Sequence, residues 1–169
     1  GPAVVGGMAA AAVTTDAACH DSITGSIDLS VLGGIPGYSY QWTGPGTYTS
    51  TLQDLSNAPA GVYEVSVMDA NGCSATTSAV IGQPPAITAS AAVVTAICQG
   101  ANNGSIDLSV SGGTPGYSYV WSAFPAYSAT TQDLSALFAG VYSVAITDAN
   151  GCILKANYNV GQPGLFSIS

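Results

Sequence analysis

The chain has 169 residues, nine acidic side chains and one lysine, Lys155, with no arginine, and its formal net charge is −8. That balance excludes a nucleic-acid binder, which needs a field of Lys and Arg to neutralise phosphates, and a protein that docks on an anionic membrane. Disorder is excluded too, because 47% of the residues are hydrophobic and only 6% are charged. With 21 Gly, 9 Pro, 9 Tyr and a single glutamate, Glu64, the good helix formers are nearly missing. This composition predicts an all-β protein with many turns. No apolar run is long enough to cross a bilayer as a helix. Gly1-Pro2 reads as a protease-cleavage scar, and residues 3–7 as a preceding connector.

The elements follow in chain order from period-two alternation. Ala9–Thr15 supplies a first strand. In the next, Ile27, Leu29 and Val31 point one way and Ser26, Asp28 and Ser30 the other. Gly33–Gly37 is a turn, after which Tyr38, Tyr40 and Trp42 share a face opposite Ser39 and Gln41. One face must be core, so the aromatic face is predicted to point inward. Asp54, before Leu55-Ser56, reads as a turn or cap residue near a strand edge. Val62–Met68 is a strand, Ala70-Asn71-Gly72 a tight turn and Ser74–Ile81 the last strand of this half. Gly82-Gln83-Pro84-Pro85 then forms a short connector whose prolines restrict it.

The same series then repeats. Cys19, Trp42, Cys73 and Gln83-Pro84 match Cys98, Trp121, Cys152 and Gln162-Pro163, each at an offset of 79, and 35 of 66 ungapped columns are identical. The second copy predicts strands at Thr88–Thr95, Ser105–Val110, Tyr117–Trp121, Val141–Thr147 and Ile153–Val160. The expected organisation is residues 1–7 as scar and connector, 8–82 as module 1, 83–86 as connector, 87–161 as module 2, and 162–169 as connector and start of a third repeat. That pattern is expected of a segment cut from a longer tandem array.

Four cysteines, Cys19, Cys73, Cys98 and Cys152, form two copies of one pair at a separation of 54. They allow three connectivities. Duplication favours Cys19–Cys73 and Cys98–Cys152, each module closing itself, for about 4 kcal/mol per closed loop. Such bonds imply an oxidising, extracytoplasmic compartment. A zinc site is disfavoured, because there is no CxxC spacing and His20 is the sole histidine.

The string C, GSIDLSV, GG-x-PGYSY-x-W, QDLS, AGVY, DANGC and GQP, present in both halves, resembles the SprB repeat of Bacteroidota surface adhesins. The resemblance implies two tandem immunoglobulin-like β-sandwich modules related to PKD and fibronectin-type domains. It also implies export by the type IX secretion system and a place in long cell-surface filaments that serve gliding motility and surface attachment. The implied partners are an extracellular surface or polysaccharide, neighbouring repeats of the same chain and the cell-surface gliding machinery. No catalytic residue and no cofactor comes with the family.

Candidate chemistry is sparse. His20 and Lys155 do not recur, since Gln99 and Thr76 take their places in the other half. The recurring acids are Asp28/Asp107, Asp54/Asp133 and Asp69/Asp148. Glycosidase-like carboxylate chemistry would need such acids paired across a cleft, and no such pairing is legible, so no enzyme is expected. Asp69-x-Asn71 and Asp148-x-Asn150 place oxygens in a turn, but calcium needs six to eight ligands, and an Asx-type turn is the favoured reading. Tyr48, Phe124 and Tyr127, in the segment that diverges between the copies, are the candidate surface contacts. The alternative to a structural repeat is a discrete carbohydrate- or calcium-binding module. Since six of the nine acids are three positions used twice, the negative charge is largely a per-module property that would add up along an array.

Overall fold

The computed structural model describes residues 7–168; the expected scar and most of the first connector lie outside the described residues, as does Ser169. The chain divides into two compact units between Pro84 and Pro85. Unit 1 contains β1 (Ala9–Thr15), β2 (Gly25–Leu32), β3 (Ser39–Thr43), β4 (Thr49–Ser50), β5 (Leu55–Ala58), β6 (Gly61–Met68) and β7 (Ser74–Ile81). Unit 2 contains β8 (Thr88–Val94), β9 (Gly104–Ser111), β10 (Ser118–Ala123), β11 (Tyr127–Ala129), β12 (Leu134–Leu137), β13 (Gly140–Thr147) and β14 (Ile153–Val160). Among the described residues there is no helix long and apolar enough to cross a membrane.

In unit 1 a three-stranded sheet, β1-β2-β5, packs on a four-stranded sheet, β4-β3-β6-β7, and all pairings are antiparallel. Unit 2 repeats this as β8-β9-β12 and β11-β10-β13-β14. Two antiparallel sheets, one of strands one, two and five and the other of strands four, three, six and seven, make the immunoglobulin-like sandwich, in its fibronectin-like form. The fold class is therefore as expected.

The predicted alternation appears as burial. On β6, Tyr63, Val65 and Val67 are buried while Glu64 and Ser66 are exposed. Ile27 and Leu29 enter the core from β2, and Trp42 reaches full burial on β3. Unit 2 builds the same core from Ile106, Leu108, Trp121, Tyr142, Val144 and Ile146. Each indole is buried with its donor satisfied: Trp42 Nε1 donates to Leu52 O and Trp121 Nε1 to Thr131 O, both at 2.9 Å. Truncating either tryptophan to alanine would cost about 3–5 kcal/mol. The aromatic stripe grades outward from there, with Tyr40 and Tyr38 only half-buried at the core margin.

The start of β6 carries a further mark of the fold. Tyr63 Oη donates to Pro59 O at 2.7 Å, and Tyr142 Oη to Phe138 O at 3.0 Å. A tyrosine near the start of the sixth strand, bonded to backbone a few residues upstream, is the tyrosine corner of immunoglobulin-like domains. The repeated AGVY motif encodes it.

Candidate functional site

Among the described residues, no three or more His, Cys, Asp or Glu side chains gather to hold a metal. The repeated motifs build the two ends of each sandwich.

The first end holds the β6–β7 hairpin. Asp69 is buried there, 6% exposed, and its carboxylate is saturated by backbone donors. Oδ2 accepts Ile35 N at 3.1 Å, and Oδ1 accepts Asn71 N and Cys73 N, each at 2.9 Å. The Ile35 amide foremost, followed by those of Cys73, Asn71 and Gly72, holds the Asp69 carboxyl below its ordinary range, against the opposing pull of burial. Asp148 repeats the arrangement with Thr114 N at 2.8 Å and with Asn150 N and Cys152 N at 2.9 Å. Its carboxyl is held low for the same reason, with Thr114 as the leading donor. The Asp-x-Asn turn is thus an Asx turn whose aspartate also ties the hairpin to the Gly-Gly turn after the second strand. Its oxygens accept amides, the bonding of the Asx-type turn expected at Asp69/Asn71 and Asp148/Asn150. The glycines of that turn are required by the approach. A Cβ on Gly113 (φ +59°) would stand 2.6 Å from Asp148 Oδ2, and one on Gly112 (φ +80°) 1.9 Å from Ala86 O.

The opposite end, from which the connector departs, holds the loop after the first strand. Ala17 N donates to Gly82 O at 2.9 Å, and Gly82 N to Asp16 Oδ1 at 2.8 Å. The connector glutamine reaches back: Gln83 Oε1 accepts Asp21 N at 2.7 Å, and Gln162 Oε1 accepts Gly100 N at 3.1 Å. The GQP motif therefore caps the cysteine-bearing loop. It is a role that sequence reading missed, although Gln recurring at the same offset as the cysteines was the available signal.

This geometry corrects the expected disulfides. Cys19 sits in the outgoing loop and Cys73 in the hairpin, with the whole length of β7 between the two ends. Eight strand residues at about 3.3 Å each put the two cysteines more than 20 Å apart, far beyond the Cα separation of about 4–7 Å that a disulfide spans. Cys98 and Cys152 occupy the matching opposite ends of unit 2. A module cannot close itself through these residues. Cys73 and Cys98 are free thiols and exposed, which rules out both expected pairings.

The surface-contact candidates separate. Tyr48 is half-buried and meets Tyr63 edge-on, with centroids 5.3 Å apart at 85°; Tyr127 meets Tyr142 likewise at 5.2 Å and 86°. Burial foremost, and then these neighbours, pushes the Tyr63 and Tyr142 hydroxyls up. Tyr48 and Tyr127 therefore pack against the corner tyrosines and, being half-buried, offer only part of each ring to the surface. Phe124 alone of the three is free, at 97% exposure. A shallow groove of unit 1 runs along Tyr38, Tyr40, Gln41 and Gln53.

In comparisons with known proteins, the chain is similar to a solved structure of Dscam (13% identity, 92% of this chain and 47% of that one, TM-score 0.39). It is also similar to the full ectodomain, Ig1–Ig3, of mouse nectin-like molecule 4 (16% identity, 93% and 66%, TM-score 0.38). A third similar structure is the amphioxus IgVJ-C2 molecule (14% identity, 76% and 91%, TM-score 0.37). The chain spans less than half the length of the first Dscam structures it matches. A search of curated proteins returns no match. The family model of the SprB repeat matches residues 11–47 and again 90–123, one segment in each unit. The two matches begin 79 residues apart, the offset at which the cysteines, tryptophans and glutamines recur. Each unit of this chain is thus similar, over one segment, to the SprB repeat.

Proposed function

We propose that modules 8–82 and 87–161, joined by the connector 83–86, are a non-catalytic structural and adhesive segment of a long secreted cell-surface adhesin that works in surface attachment and gliding motility. The observation that carries this reading is the match to the SprB repeat in both units at equivalent positions. The sandwich cores and a disulfide that suits an extracellular compartment support it. Mechanism here is geometric: each sandwich is a rigid bead, and the Pro84-Pro85 connector limits the slack between beads, so that pull at one end is passed along the chain. Export by type IX secretion and coupling to the gliding machinery belong to the same proposal, with an extracellular surface or polysaccharide as the contact. Two experiments test it. Solution scattering should give a preferred end-to-end arrangement of the units; a freely flexing pair counts against the spacer role. Beads coated with the chain should be retained on glass or polysaccharide under flow, and retention no greater than on albumin-coated beads ends the adhesive reading.

A second reading, a carbohydrate-binding module, draws on the groove at Tyr38, Tyr40, Gln41 and Gln53, where half-buried tyrosines stand beside amide side chains. Titration calorimetry with soluble glycans, with and without Tyr38→Ala, separates the two readings. A saccharide heat lost in the variant favours the second, and its absence leaves the adhesive spacer.

A further inference from the structure

The sequence holds three Asn-Gly pairs, Asn71-Gly72, Asn103-Gly104 and Asn150-Gly151. Asparagine before glycine is the pair most open to spontaneous deamidation, since no side chain on the following residue shields its nitrogen from the asparagine carboxamide. The fold separates the three. Gly104 is buried in β9, where a Cβ would stand 2.5 Å from Val160 Cγ1 and 3.0 Å from Leu137 O, and Asn103 Oδ1 accepts Ile97 N at 2.9 Å. Both members of that pair are held in place. The other two pairs sit exposed in the β6–β7 and β13–β14 hairpins, with nothing within 4 Å of a Cβ on Gly72 or Gly151. Their main chains match. Asn71 N donates to Asp69 Oδ1 and Gly72 N to Asp69 O, as Asn150 N does to Asp148 Oδ1 and Gly151 N to Asp148 O. Their side chains do not. Asn150 Nδ2 donates to Thr114 Oγ1 at 3.1 Å, whereas the place of Thr114 is taken in unit 1 by Ile35, whose side chain has no acceptor.

We propose that Asn71 is a site of spontaneous deamidation, and that its equivalent Asn150 is protected by the Thr114 hydroxyl and Asn103 by its strand. In the reaction the Gly72 nitrogen gives up its proton to water and attacks Asn71 Cγ. A C–N bond forms, the Cγ–Nδ2 bond breaks, and ammonia leaves a five-membered succinimide ring. Water then adds to one ring carbonyl and a ring C–N bond opens. Opening on one side gives aspartate, and opening on the other gives isoaspartate, with the main chain rerouted through Cγ. One water is consumed and one ammonia released. Ring closure needs the carboxamide carbon turned towards the next nitrogen, so Asn150 must first leave Thr114, while Ile35 demands no such release of Asn71. The consequence falls on the Asp69 clasp. Asp69 Oδ1 accepts the amides of Asn71 and Cys73, and either product sets a new carboxylate beside that buried one. Isoaspartate also adds a carbon to the main chain between those two amides. The hairpin of unit 1 is thereby loosened with age, and that of unit 2 is kept.

The test ages the full chain in mildly alkaline buffer made with heavy-oxygen water, and follows each Asn-Gly pair by peptide mapping with mass spectrometry. Asn71 should convert about fivefold faster than Asn150, the weight of one net hydrogen bond, and Asn103 slowest of the three. Its product should carry the heavy oxygen and be labelled by an isoaspartyl methyltransferase. In the urea-unfolded chain the three rates should converge, since the ranking belongs to the fold. Ile35→Thr, which supplies the missing hydroxyl, should slow Asn71 to the rate of Asn150, and Thr114→Ile should bring Asn150 up to the rate of Asn71, with circular dichroism showing each variant folded. No conversion at Asn71 while the unfolded chain converts, Asn103 or Asn150 converting as fast as Asn71 in the folded chain, or an Asn71 rate unmoved in folded Ile35→Thr would overturn the proposal.

Discussion

The carboxylate of Asp54 accepts the amide of Leu29 at 2.9 Å, where the backbone ladder between β2 and β5 has already stopped. That ladder pairs Ile27 with Leu55 and goes no further along β2. Gln53 Nε2 completes the substitution by donating to Leu29 O at 2.7 Å, and Tyr40 Oη steadies the glutamine through Oε1 at 3.1 Å. Two side chains thus stand in for one residue of strand, and Asp133 Oδ1 serves Leu108 N identically in unit 2. Leu29 is fully buried, so its amide has no water to fall back on. Asp54→Ala should cost unit 1 about 1–3 kcal/mol, the penalty of an orphaned buried donor. Urea denaturation checks it, and an unchanged midpoint would show that β5 extends to fill the gap.

The corner tyrosines and the exposed phenylalanine should behave oppositely. Tyr48→Ala removes an edge-to-face partner of Tyr63 as well as half-buried surface, and should cost at least about 1 kcal/mol. Phe124→Ala removes a ring in solvent and should stay within about 0.5 kcal/mol of the parent. Thermal unfolding of both variants makes the comparison. If Phe124→Ala lowers retention of coated beads with no change in stability, that ring is an adhesive contact.

Acid should weaken both units through the hairpins. Asp69 and Asp148 have carboxyls held low in the folded state by amide donors, Ile35 and Thr114 foremost. A depressed folded value means that the unfolded chain takes up the proton first. Their contribution is therefore present in full above the unfolded value of about 3.9, and is lost as pH falls through the folded one. Stability should hold level through neutral pH and fall below about pH 4. Asp69→Asn should be less stable than the parent at pH 7, and the difference should shrink at pH 3. A constant difference across that range would mean that the carboxylate charge is not what the amides hold.

A stabilising change is also available. Ala136 adopts φ 54° in β12, at the irregularity between Leu134 and Leu137, while the equivalent residue of unit 1, Asn57, adopts φ 50°. The left-handed region costs an alanine about 1–2 kcal/mol and is tolerated by asparagine. Ala136→Asn should raise the stability of unit 2 by about 1 kcal/mol, read from its denaturation midpoint. The reverse change, Asn57→Ala, should lower that of unit 1.

The strands legible in the sequence were those long enough to alternate. β2, β6, β7 and their copies each run eight residues, and there the side-chain period of two sorts Ile27 and Leu29 from Asp28 and Ser30 without ambiguity. β4 has two residues and β5 four, too few for a period, and β5 is further broken by Asn57 in the left-handed region. The aspartates were legible as loop residues but not by partner, because Ile35 and Leu29 lie 34 and 25 residues away from Asp69 and Asp54. That Tyr48 and Tyr127 pack on Tyr63 and Tyr142 was not legible, because each partner lies 15 residues on across two further strands.

By itself the sequence determined that one sandwich-forming unit is written twice. The 79-residue offset is exact along the chain, and identical alternation must bury identical faces. It also determined that Trp42 and Trp121 are core, since an aromatic side of a two-faced strand has nowhere else to go. The tertiary structure alone decided where the cysteines stand. A separation of 54 residues counts steps along a chain that reverses at every strand, and an odd or even number of reversals puts its ends together or apart. Here the path from Cys19 to Cys73 finishes at the opposite end of the sandwich, a strand length away, so a pair that looks self-contained in sequence cannot close on itself.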